Sequence, residues 1–487
     1  METLLNTALI ESTAEKIDAL ALAAAAAAET WANCPRTTRA RLLDGLAAAI
    51  EAERETLVAI ADTETHLGTA RLNGELDRTA FQLRMFATLL KEGRPLRALD
   101  EPAVPGAPPA GHPHMTLVRV PIGPVAMFAA SNFPFAFSVL GGDTASALAA
   151  GCPVIVKAHP GHPQLSQRIF ELACSVVAAQ QLSEGILGMV QGASVDVGVS
   201  LVTHPAICAV AFTGSFKGGT ALQAHAQARP RPIPFYGELG SVNPIVVLPA
   251  ALDSQAEALA QTLAGSIALG CGQFCTSPGI VTLPDHKMGA AFIAQLGAAL
   301  SQADLHDMLT PGIRRLYDAG VERLNKLEQV HPLVGPARVA DGGPPTAYLG
   351  VVDGQTFLRS PALHEEVFGP ACLVVKVSSI EETIQILQAI GGSLTATIWG
   401  AGDGTPDNAR LVNAAMGIAG RVLFAGVPTG VAVTAAQQHG GPWPASTQPF
   451  TTSVGHAALD RFLRPVALQD APAWLAASAA GTENHQD

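Results

Sequence analysis

Residues 206–219 read AICAVAFTGSFKGG, an apolar run followed directly by a turn rich in small residues. The run at 206–212 predicts a buried strand, because it is short, continuous and bounded by turn-forming residues. A helix would start within 213–219, where Gly214 and Gly219 let backbone N–H groups approach a pyrophosphate. The glycine spacing differs from the G-x-G-x-x-G fingerprint, so this stretch by itself indicates nucleotide binding only weakly.

The same alternation of strand and helix continues upstream of this stretch. Strands are predicted over residues 125–129, 152–157 and 186–190, and helices over 139–150 and 163–180. Such alternation predicts a doubly wound α/β fold with a parallel sheet. Lys157 ends one of these strands and would therefore lie in the crevice where open α/β sheets bind ligands.

The flanking segments predict helices before this unit and a second α/β unit after it. Residues 13–91 are rich in alanine, with apolar residues three and four apart, which predicts helices. The proline-rich residues 93–114 predict an extended connector that leads to a strand at 115–120. Residues 243–426 repeat the strand–helix alternation, and 461–469 predict a terminal strand.

Composition excludes several classes of protein. At 487 residues the chain is longer than one core normally supports, so two or three domains are expected. The net charge of −12 argues against nucleic acid or an anionic membrane as a partner. The apolar run at 19–28 is too short to span a bilayer, and residues 1–12 lack the basic residues of a secretory leader.

Cysteine usage fits a cytoplasmic protein without metal. The 7 cysteines are odd in number and widely scattered, which is typical of reduced thiols and not of a disulfide framework. Cys271 and Cys275 have no second pair, and no group of His, Cys and carboxylate residues has metal-ligand spacing, so no metal is expected.

Residues 269–276, LGCGQFCT, contain the candidate nucleophile. Cys275 lies in a loop with little side-chain bulk, which leaves room for a small electrophile to reach the sulfur. A structural cysteine in a glycine-rich turn is an equally good interpretation of this stretch taken alone.

Three other segments carry polar residues at predicted strand ends. Glu238, in FYGELG, is a lone acid that needs either a buried partner or a raised pKa, and a raised pKa suits a general base. Asn132, in SNFP, is by its position more typical of a turn former than of a catalytic donor. Glu366 and Phe368, in HEEVFGP, could both face a ligand.

Taken together, these stretches resemble the aldehyde dehydrogenases. The motifs SNFPF, Lys157 after a strand, FTGSxxxG, ELG, GQFC and EEVFGP occur in the order found in that family, across residues 13–469. The resemblance implies a doubly wound dinucleotide-binding domain (1–102 and 122–240), an α/β catalytic domain (241–444) and a β bridging element (103–121 and 445–487). In the family this element adds to the sheet of a neighbouring subunit, so a homodimer or homotetramer is expected.

The resemblance also implies a role for each motif. Cys275 attacks the aldehyde, the Asn132 amide and the Cys275 N–H stabilise the oxyanion, and Glu238 activates the water that hydrolyses the thioester. The cofactor-binding residues would be Lys157, Ser215, Gly214, Gly219, Glu366 and Phe368. Many NAD-specific members carry an acid where this chain has Pro160, so NADP and NAD are both expected, with NADP tolerated or preferred. Ser241 replaces a glycine that usually follows ELG, a change we expect to be harmless.

Four further stretches resemble the subgroup that oxidises 2-oxoglutarate semialdehyde to 2-oxoglutarate: ELDRTAFQLR at 75–84, VKAHPGHP at 156–163, QHGGPWPAST at 438–447 and RFLRPV at 461–466. A carboxylate substrate needs a fork of donors. The substrate-binding candidates are Arg78, with Gln82 four residues on, His439 and, as a weaker choice, Arg464. Alternatively, Arg78 pairs with a surface acid such as Glu75 or Asp77.

Three competing functions are compatible with parts of the pattern. A long-chain aldehyde dehydrogenase would share the QHGG-type loop. A CoA-acylating dehydrogenase would not need Glu238 as a hydrolytic base. A catalytically silent structural or binding homologue is disfavoured because the Cys, Glu, Asn and Lys set is intact.

Overall fold

Within residues 11–94, 96–335, 343–472 and 474–475, which the computed structural model describes, the chain forms three β-sheets surrounded by helices. Residues 1–10 and 476–487, the ends of the expected first domain and bridging element, lie outside the described residues. The helices are α1 (Ala14–Ala32), α2 (Arg36–Ala52), α3 (Arg54–Thr65), α4 (Thr69–Lys91), α5 (Gly142–Ala150), α6 (Pro163–Ala179), α7 (Val195–Thr203), α8 (Phe216–Gln227), α9 (Pro249–Ala268), α10 (Lys287–Ser301), α11 (Pro311–Asn325), α12 (Gly354–Arg359), α13 (Ile380–Ile390) and α14 (Pro406–Ile418). The strands are β1 (Leu99–Glu101), β2 (Met115–Pro121), β3 (Val125–Phe128), β4 (Val154–Lys157), β5 (Leu187–Val190), β6 (Ala209–Thr213), β7 (Phe235–Glu238), β8 (Ile245–Val247), β9 (Ile280–Pro284), β10 (His331–Val334), β11 (Tyr348–Asp353), β12 (Ala371–Val377), β13 (Ser393–Trp399), β14 (Ala419–Leu423) and β15 (Leu463–Gln469).

The first sheet has five parallel strands in the order β5-β4-β3-β6-β7. Its strands are continuous apolar runs, because helices cover both faces and leave almost every strand residue buried. The chain runs outward from β3 in one direction and then returns to place β6 on the other side of β3. This reversal opens a crevice at the carboxyl ends of the strands, the position where doubly wound sheets bind ligands.

Several predicted elements begin later than expected, and four of these delays have a local cause. Residues 204–207 form a turn, with Ile207 N–H donating to the His204 carbonyl, so β6 starts at Ala209. The Gly142 N–H donates to the Ala136 carbonyl in another turn, which delays α5. Short 3-10 helices at Glu184–Ile186 and His456–Phe462 delay β5 and β15.

The second sheet has seven strands in the order β10-β11-β12-β9-β8-β13-β14. The edge strand β10 is antiparallel to β11, and the remaining pairs are parallel. Helix α9 leaves β8 and delivers the chain to the cysteine loop at 269–276. This is the second α/β unit that the sequence predicts.

The third sheet joins distant parts of the chain, in the antiparallel order β1-β2-β15. β15 pairs along its whole length with β2 and forms one edge of this sheet. β1 precedes residue 103, where the bridging element is expected to begin. The predicted terminal strand is therefore present, at the edge of a small sheet.

Helices α1–α4 precede these sheets, as the alanine-rich pattern predicts. Helix α4 buries one face against α2 and extends toward the cysteine loop, which brings its polar residues near the candidate nucleophile. In the described part of the chain, no helix combines the length and hydropathy that crossing a membrane requires.

Candidate active site

A strained turn positions Cys275. After α9, Gly270, Cys271 and Gly272 adopt positive φ values of 55°, 55° and 65°. A Cβ on Gly272 would lie 2.2 Å from the backbone of Gly369, so only glycine allows these two loops to touch. The turn places Cys275 at the junction of two cavities, where its side chain is partly buried.

Glu238 and His439 lie beside the thiol. His439 Nε2 is 3.6 Å from Cys275 Sγ and 3.0 Å from Glu238 Oε1. Ser453 Oγ donates to Glu238 Oε2 over 2.6 Å. The sequence analysis predicts His439 as a substrate-binding residue only. Its contact with Cys275 could not be predicted, because 164 residues separate the two and the His439 loop has no periodic pattern.

Burial and charge shift the pKa values of this group in opposite directions. Burial raises the pKa of the Glu238 carboxyl, but the facing His439 and the Ser453 hydroxyl outweigh burial and hold it below its ordinary value. Glu238 therefore has the buried partner, the first of the two alternatives predicted for it, and not a raised pKa. Burial and the nearby carboxylates Glu238 and Glu366 raise the pKa of the Cys275 thiol well above its ordinary value. A thiolate here needs a proton acceptor close by.

Asn132 follows β3 and reaches the cysteine loop. Its Nδ2 donates to the Gln273 carbonyl over 2.9 Å, two residues before Cys275. An amide carries two N–H donors, so one remains for a ligand in the cavity that Asn132 and Cys275 both line. The position is compatible with a donor to an oxyanion on the attacked carbon.

The larger cavity, of about 510 Å³, lies over the carboxyl ends of the first sheet. Five of the six residues expected to bind cofactor line it: Lys157, Gly214, Ser215, Glu366 and Phe368. Gly219 does not line it. A Cβ on Gly219 would lie 2.2 Å from a Leu239 methyl carbon, so this glycine lets helix α8 pack closely against the chain after β7.

Two charged groups in this cavity have shifted pKa values. Burial lowers the pKa of Lys157 to about 8, although Glu11 opposes the shift. Its Nζ donates to the carbonyls of Gly192 and Ala158. Burial raises the pKa of Glu366 to about 7.

The smaller cavity, of about 210 Å³, opens on the other side of Cys275. Its aromatic wall is formed by Phe133, Phe137 and Phe274, whose rings contact one another edge-on. Its opposite wall is the loop at 429–431, which Arg421 holds through hydrogen bonds to the Pro428 and Gly430 carbonyls. A small molecule here would lie against the sulfur on the face away from the larger cavity.

Arg78 lies inside the smaller cavity and not on the surface. Its Nη1 donates to the Val431 carbonyl over 2.5 Å, and its Nε and Nη2 are buried without a hydrogen-bond partner. Arg78 forms no ion pair with a surface acid in the described chain, but the buried Glu75 carboxylate lines the same cavity: burial lowers the pKa of Arg78, and Glu75 opposes that shift. Asp77 pairs with Arg54 over 2.6 Å, and the Glu75 carboxylate accepts hydrogen bonds from the Phe135 and Ala136 N–H groups.

Arg71 is a second cation in the same cavity, which sequence reasoning missed. Its Nη2 donates to the Asn132 carbonyl over 2.6 Å, and its guanidinium lies 4.5 Å from the Phe274 ring centre. Its Nη1 is buried without a partner. The signal was present, because residues seven apart share one face of a helix and Arg71 precedes Arg78 by seven.

Two expected substrate residues lie elsewhere. Gln82 is buried between α4 and α5, against Gly142, because a further turn of α4 carries it about 6 Å beyond Arg78. Arg464 is exposed on β15, where it pairs in register with Val120 in the third sheet. Neither lines the cavities beside Cys275 in the described chain.

Comparisons with known proteins agree with this geometry. A sequence profile described as "Aldehyde dehydrogenase family" matches residues 5–441. Alpha-ketoglutaric semialdehyde dehydrogenase 2 of Azospirillum brasilense is 43% identical over 478 residues, covering 95% of this chain and 90% of the relative. Alpha-ketoglutaric semialdehyde dehydrogenase of Acinetobacter baylyi is 38% identical over 464 residues, covering 94% and 87%.

A solved structure supports the same fold. Glyceraldehyde-3-phosphate dehydrogenase GapN of Methanocaldococcus jannaschii, solved with NADP, superposes with a TM-score of 0.78 at 19% identity, covering 94% of this chain and 95% of that chain. The two-sheet core with its small third sheet is therefore a fold already seen in dehydrogenases.

Proposed function

This chain belongs to the aldehyde dehydrogenase family and is an NAD(P)-dependent oxidoreductase acting on aldehydes, and from that premise we propose that its substrate is 2-oxoglutarate semialdehyde. The product would be 2-oxoglutarate. The names of the two relatives support this substrate, since alpha-ketoglutaric semialdehyde is the same compound.

The observation that carries the proposal is the pair of buried arginines in the smaller cavity. Arg78 Nε and Nη2 and Arg71 Nη1 are donors without partners. Buried donors left unpaired are unfavourable, and a carboxylate with a neighbouring keto oxygen offers acceptors for all three. The far end of 2-oxoglutarate semialdehyde carries this pair of groups.

The same observation disfavours a long-chain aldehyde. An alkyl chain in this cavity would leave Arg78 Nε and Nη2 and Arg71 Nη1 without a hydrogen-bond acceptor, because it has none to offer. A cavity of about 210 Å³ suits a short acid better than a long chain. Kinetics with a long uncharged aldehyde would reveal the long-chain function if it is the correct one.

His439 is positioned to receive the proton of Cys275. In our proposal the imidazole Nε2 accepts the thiol proton over the 3.6 Å contact, and the Glu238 carboxylate stabilises the charged ring. Cys275 Sγ then bonds to the aldehyde carbon, and the free N–H of Asn132 stabilises the oxygen that becomes negative. His439 therefore acts on the Cys275 thiol in this proposal. It does not bind the far end of the substrate, the role that the sequence analysis expects.

Glu238 is proposed to activate the water that ends the cycle. Its lowered pKa keeps the carboxylate ionised near neutral pH, and its Oε1 lacks an aligned hydrogen bond. A water placed against Oε1 can therefore give up a proton while it attacks the thioester carbon on Cys275. Release of the acid restores the free thiol.

The larger cavity suits a dinucleotide. The turn after β6 starts α8, and its helix N-terminus favours phosphate, while Lys157 adds a positive charge. The Cys275 thiohemiacetal must lose a hydride to become the thioester, and NADP or NAD bound there would supply the hydride acceptor. Among the residues that line this cavity, only Glu238 and Glu366 carry a carboxylate. Neither is adjacent in sequence to Pro160, where many NAD-specific members of the family carry an acid. Without an acid at Pro160, we propose that NADP is used at least as well as NAD.

The third sheet supports an oligomer. Among the described residues, β15 is an edge strand that pairs with a strand on one side only, which suits pairing with a second subunit on the other. We propose a homodimer or homotetramer.

All 7 cysteines are free thiols, which fits the proposed cytoplasmic location.

Steady-state kinetics with a charged and an uncharged aldehyde tests the substrate. The reaction is measured as the increase in NAD(P)H absorbance, with each cofactor in turn. We expect kcat/KM for 2-oxoglutarate semialdehyde to exceed kcat/KM for hexanal by about 10²-fold or more. A preference for hexanal would replace this proposal with the long-chain function. Product analysis for free acid in the presence of CoA excludes or reveals acyl-CoA formation.

A further inference from the structure

Three metal-binding atoms meet at the junction of the two cavities. One donor atom each from Glu238, Cys275 and His439 lies within 4.8 Å of the other two. Glu238 and His439 are 5% and 2% exposed, so the group is almost closed to bulk water. Sequence spacing hid this cluster, because its members come from β7, the cysteine loop and the 438–447 loop.

One distance in the cluster matches an edge of a zinc tetrahedron, and a second is about 0.3 Å shorter than such an edge. With Zn–S near 2.3 Å and Zn–N or Zn–O near 2.0–2.1 Å, two ligands of a tetrahedral ion lie about 3.3–3.6 Å apart. The observed separations are 3.6 Å from Cys275 Sγ to His439 Nε2 and 3.0 Å from that nitrogen to Glu238 Oε1. Small side-chain rotations are enough to enclose one ion.

A second observation points to a ligand at the same place. Glu238 Oε1 is buried without an aligned hydrogen bond, and it faces the sulfur and the imidazole. Thiolate and imidazole favour Zn²⁺ over Mg²⁺ or Ca²⁺, which prefer oxygen ligands. The carboxylates Glu238 and Glu366 attract a cation, while Arg78 and Arg421, whose charges also act on Cys275, repel it.

We propose that Glu238, Cys275 and His439 form a Zn²⁺ site in which one ion occupies the catalytic thiol and holds the enzyme inactive. Binding forms one Zn–S, one Zn–N and one Zn–O bond and releases the thiol proton to solvent. The fourth position faces the cavities and takes a water, as in zinc sites with three protein ligands. Chelation restores the free thiol, so the block is reversible and also covers the sulfur against oxidation.

Metal binding to the full-length protein tests the site without any substrate. Chelator-treated wild-type enzyme is titrated with Zn²⁺ in competition with a chromogenic chelator, beside Cys275→Ser, His439→Asn and Glu238→Gln. We expect one tightly held ion per wild-type chain and affinity at least about tenfold weaker in each variant. Cys174→Ser is the matched control, because this thiol is exposed on α6 outside the site, and it should bind like the wild type.

Equal affinity in the wild type and His439→Asn would overturn the proposal, as would a wild type that holds no more zinc than Cys275→Ser. Circular dichroism shows whether each variant is folded. A second measurement uses the wild type alone: Zn²⁺ should slow iodoacetamide labelling of Cys275, located by peptide mass spectrometry, at least about tenfold, with EDTA restoring it. Unchanged labelling would also refute the site. These readouts need no turnover, so their failure leaves the proposed oxidation of 2-oxoglutarate semialdehyde untouched.

Discussion

Arg78 Nη1 donates to the backbone carbonyl of Val431, across 353 residues of sequence, over 2.5 Å. This hydrogen bond joins helix α4 to the loop that forms one wall of the smaller cavity. It uses Nη1 of the guanidinium and leaves Nε and Nη2 buried without a hydrogen-bond partner. The same side chain therefore shapes the cavity and offers it a charge.

Replacement of Arg78 should separate charged from uncharged substrates. We expect Arg78→Ala to raise KM for 2-oxoglutarate semialdehyde by roughly 10²-fold or more, because one desolvated charge pair is lost. Activity on hexanal should stay the same or rise. Arg84→Ala, on the exposed face of the same helix, is the control. Equal loss on both aldehydes would make Arg78 structural and favour the long-chain function.

The two cysteines of the loop should behave differently. Cys271 Sγ donates to the His306 carbonyl over 2.9 Å and lines neither cavity, whereas Cys275 lines both. We expect Cys275→Ala to abolish oxidation and Cys271→Ala to keep most of it, measured as NAD(P)H formation. If both folded variants lose activity equally, the assignment of Cys275 alone is wrong.

Glu238→Gln should divide the reaction into its two halves. The amide cannot take a proton from water, so the thioester on Cys275 forms but hydrolyses slowly. Rapid mixing should show a burst of NAD(P)H followed by very slow turnover. A variant without any burst would show that the Glu238 charge beside His439 is needed first for thiol activation, and it would contradict a role confined to hydrolysis.

Cofactor affinity should fall as the pH rises through about 8, the pKa to which burial lowers Lys157. An exposed lysine has a higher pKa, so the free enzyme loses the Lys157 charge at a lower pH than an exposed lysine would. Loss of this charge removes its attraction for the cofactor phosphates. Fluorescence titration with NADPH between pH 7 and 9.5 measures this. In Lys157→Met, the affinity for NADPH should depend less on pH than in the wild type. A wild type whose affinity for NADPH is constant over this pH range would contradict the role of the Lys157 charge.

Pro160→Glu should change cofactor preference. Pro160 lines the larger cavity near Lys157, and a carboxylate there would repel the 2′-phosphate that distinguishes NADP from NAD. We expect the ratio of kcat/KM for NADP over NAD to fall by roughly 10- to 100-fold. Pro160→Gln, of similar size but neutral, is the control. Strong NAD preference in the unmodified protein would defeat the premise.

The dinucleotide-type unit could be predicted from local patterns because its five-stranded sheet is parallel and covered on both faces. Strands such as β3 and β4 are uninterrupted apolar runs between helices, a pattern readable without any tertiary contact. Strand ends then meet at one edge of the sheet, which is why Lys157 and the residues after β6 could be placed beside one crevice.

The substrate side could not be predicted in the same way. His439 lies in a loop with no periodicity, so its contact with Cys275 depends on how the two sheets pack. Gln82 shows the limit of helix periodicity, since it shares α4 with Arg78 but is buried against Gly142. The seven-residue spacing between Arg71 and Arg78, by contrast, does indicate a shared face of α4. Arg464 was placed by resemblance of its segment, and that segment is an exposed edge strand.

The position of Cys275 between two separate cavities has a consequence for the order of events. In the proposed arrangement the aldehyde would reach the sulfur from the side of Phe137 and Val431, and the dinucleotide would lie on the side of Phe212 and Lys157. Each ligand would then have its own entrance, and neither would have to leave for the other to arrive. The reduced cofactor would be able to depart while the acyl group is still attached, which would free the space over the thioester for the hydrolytic water.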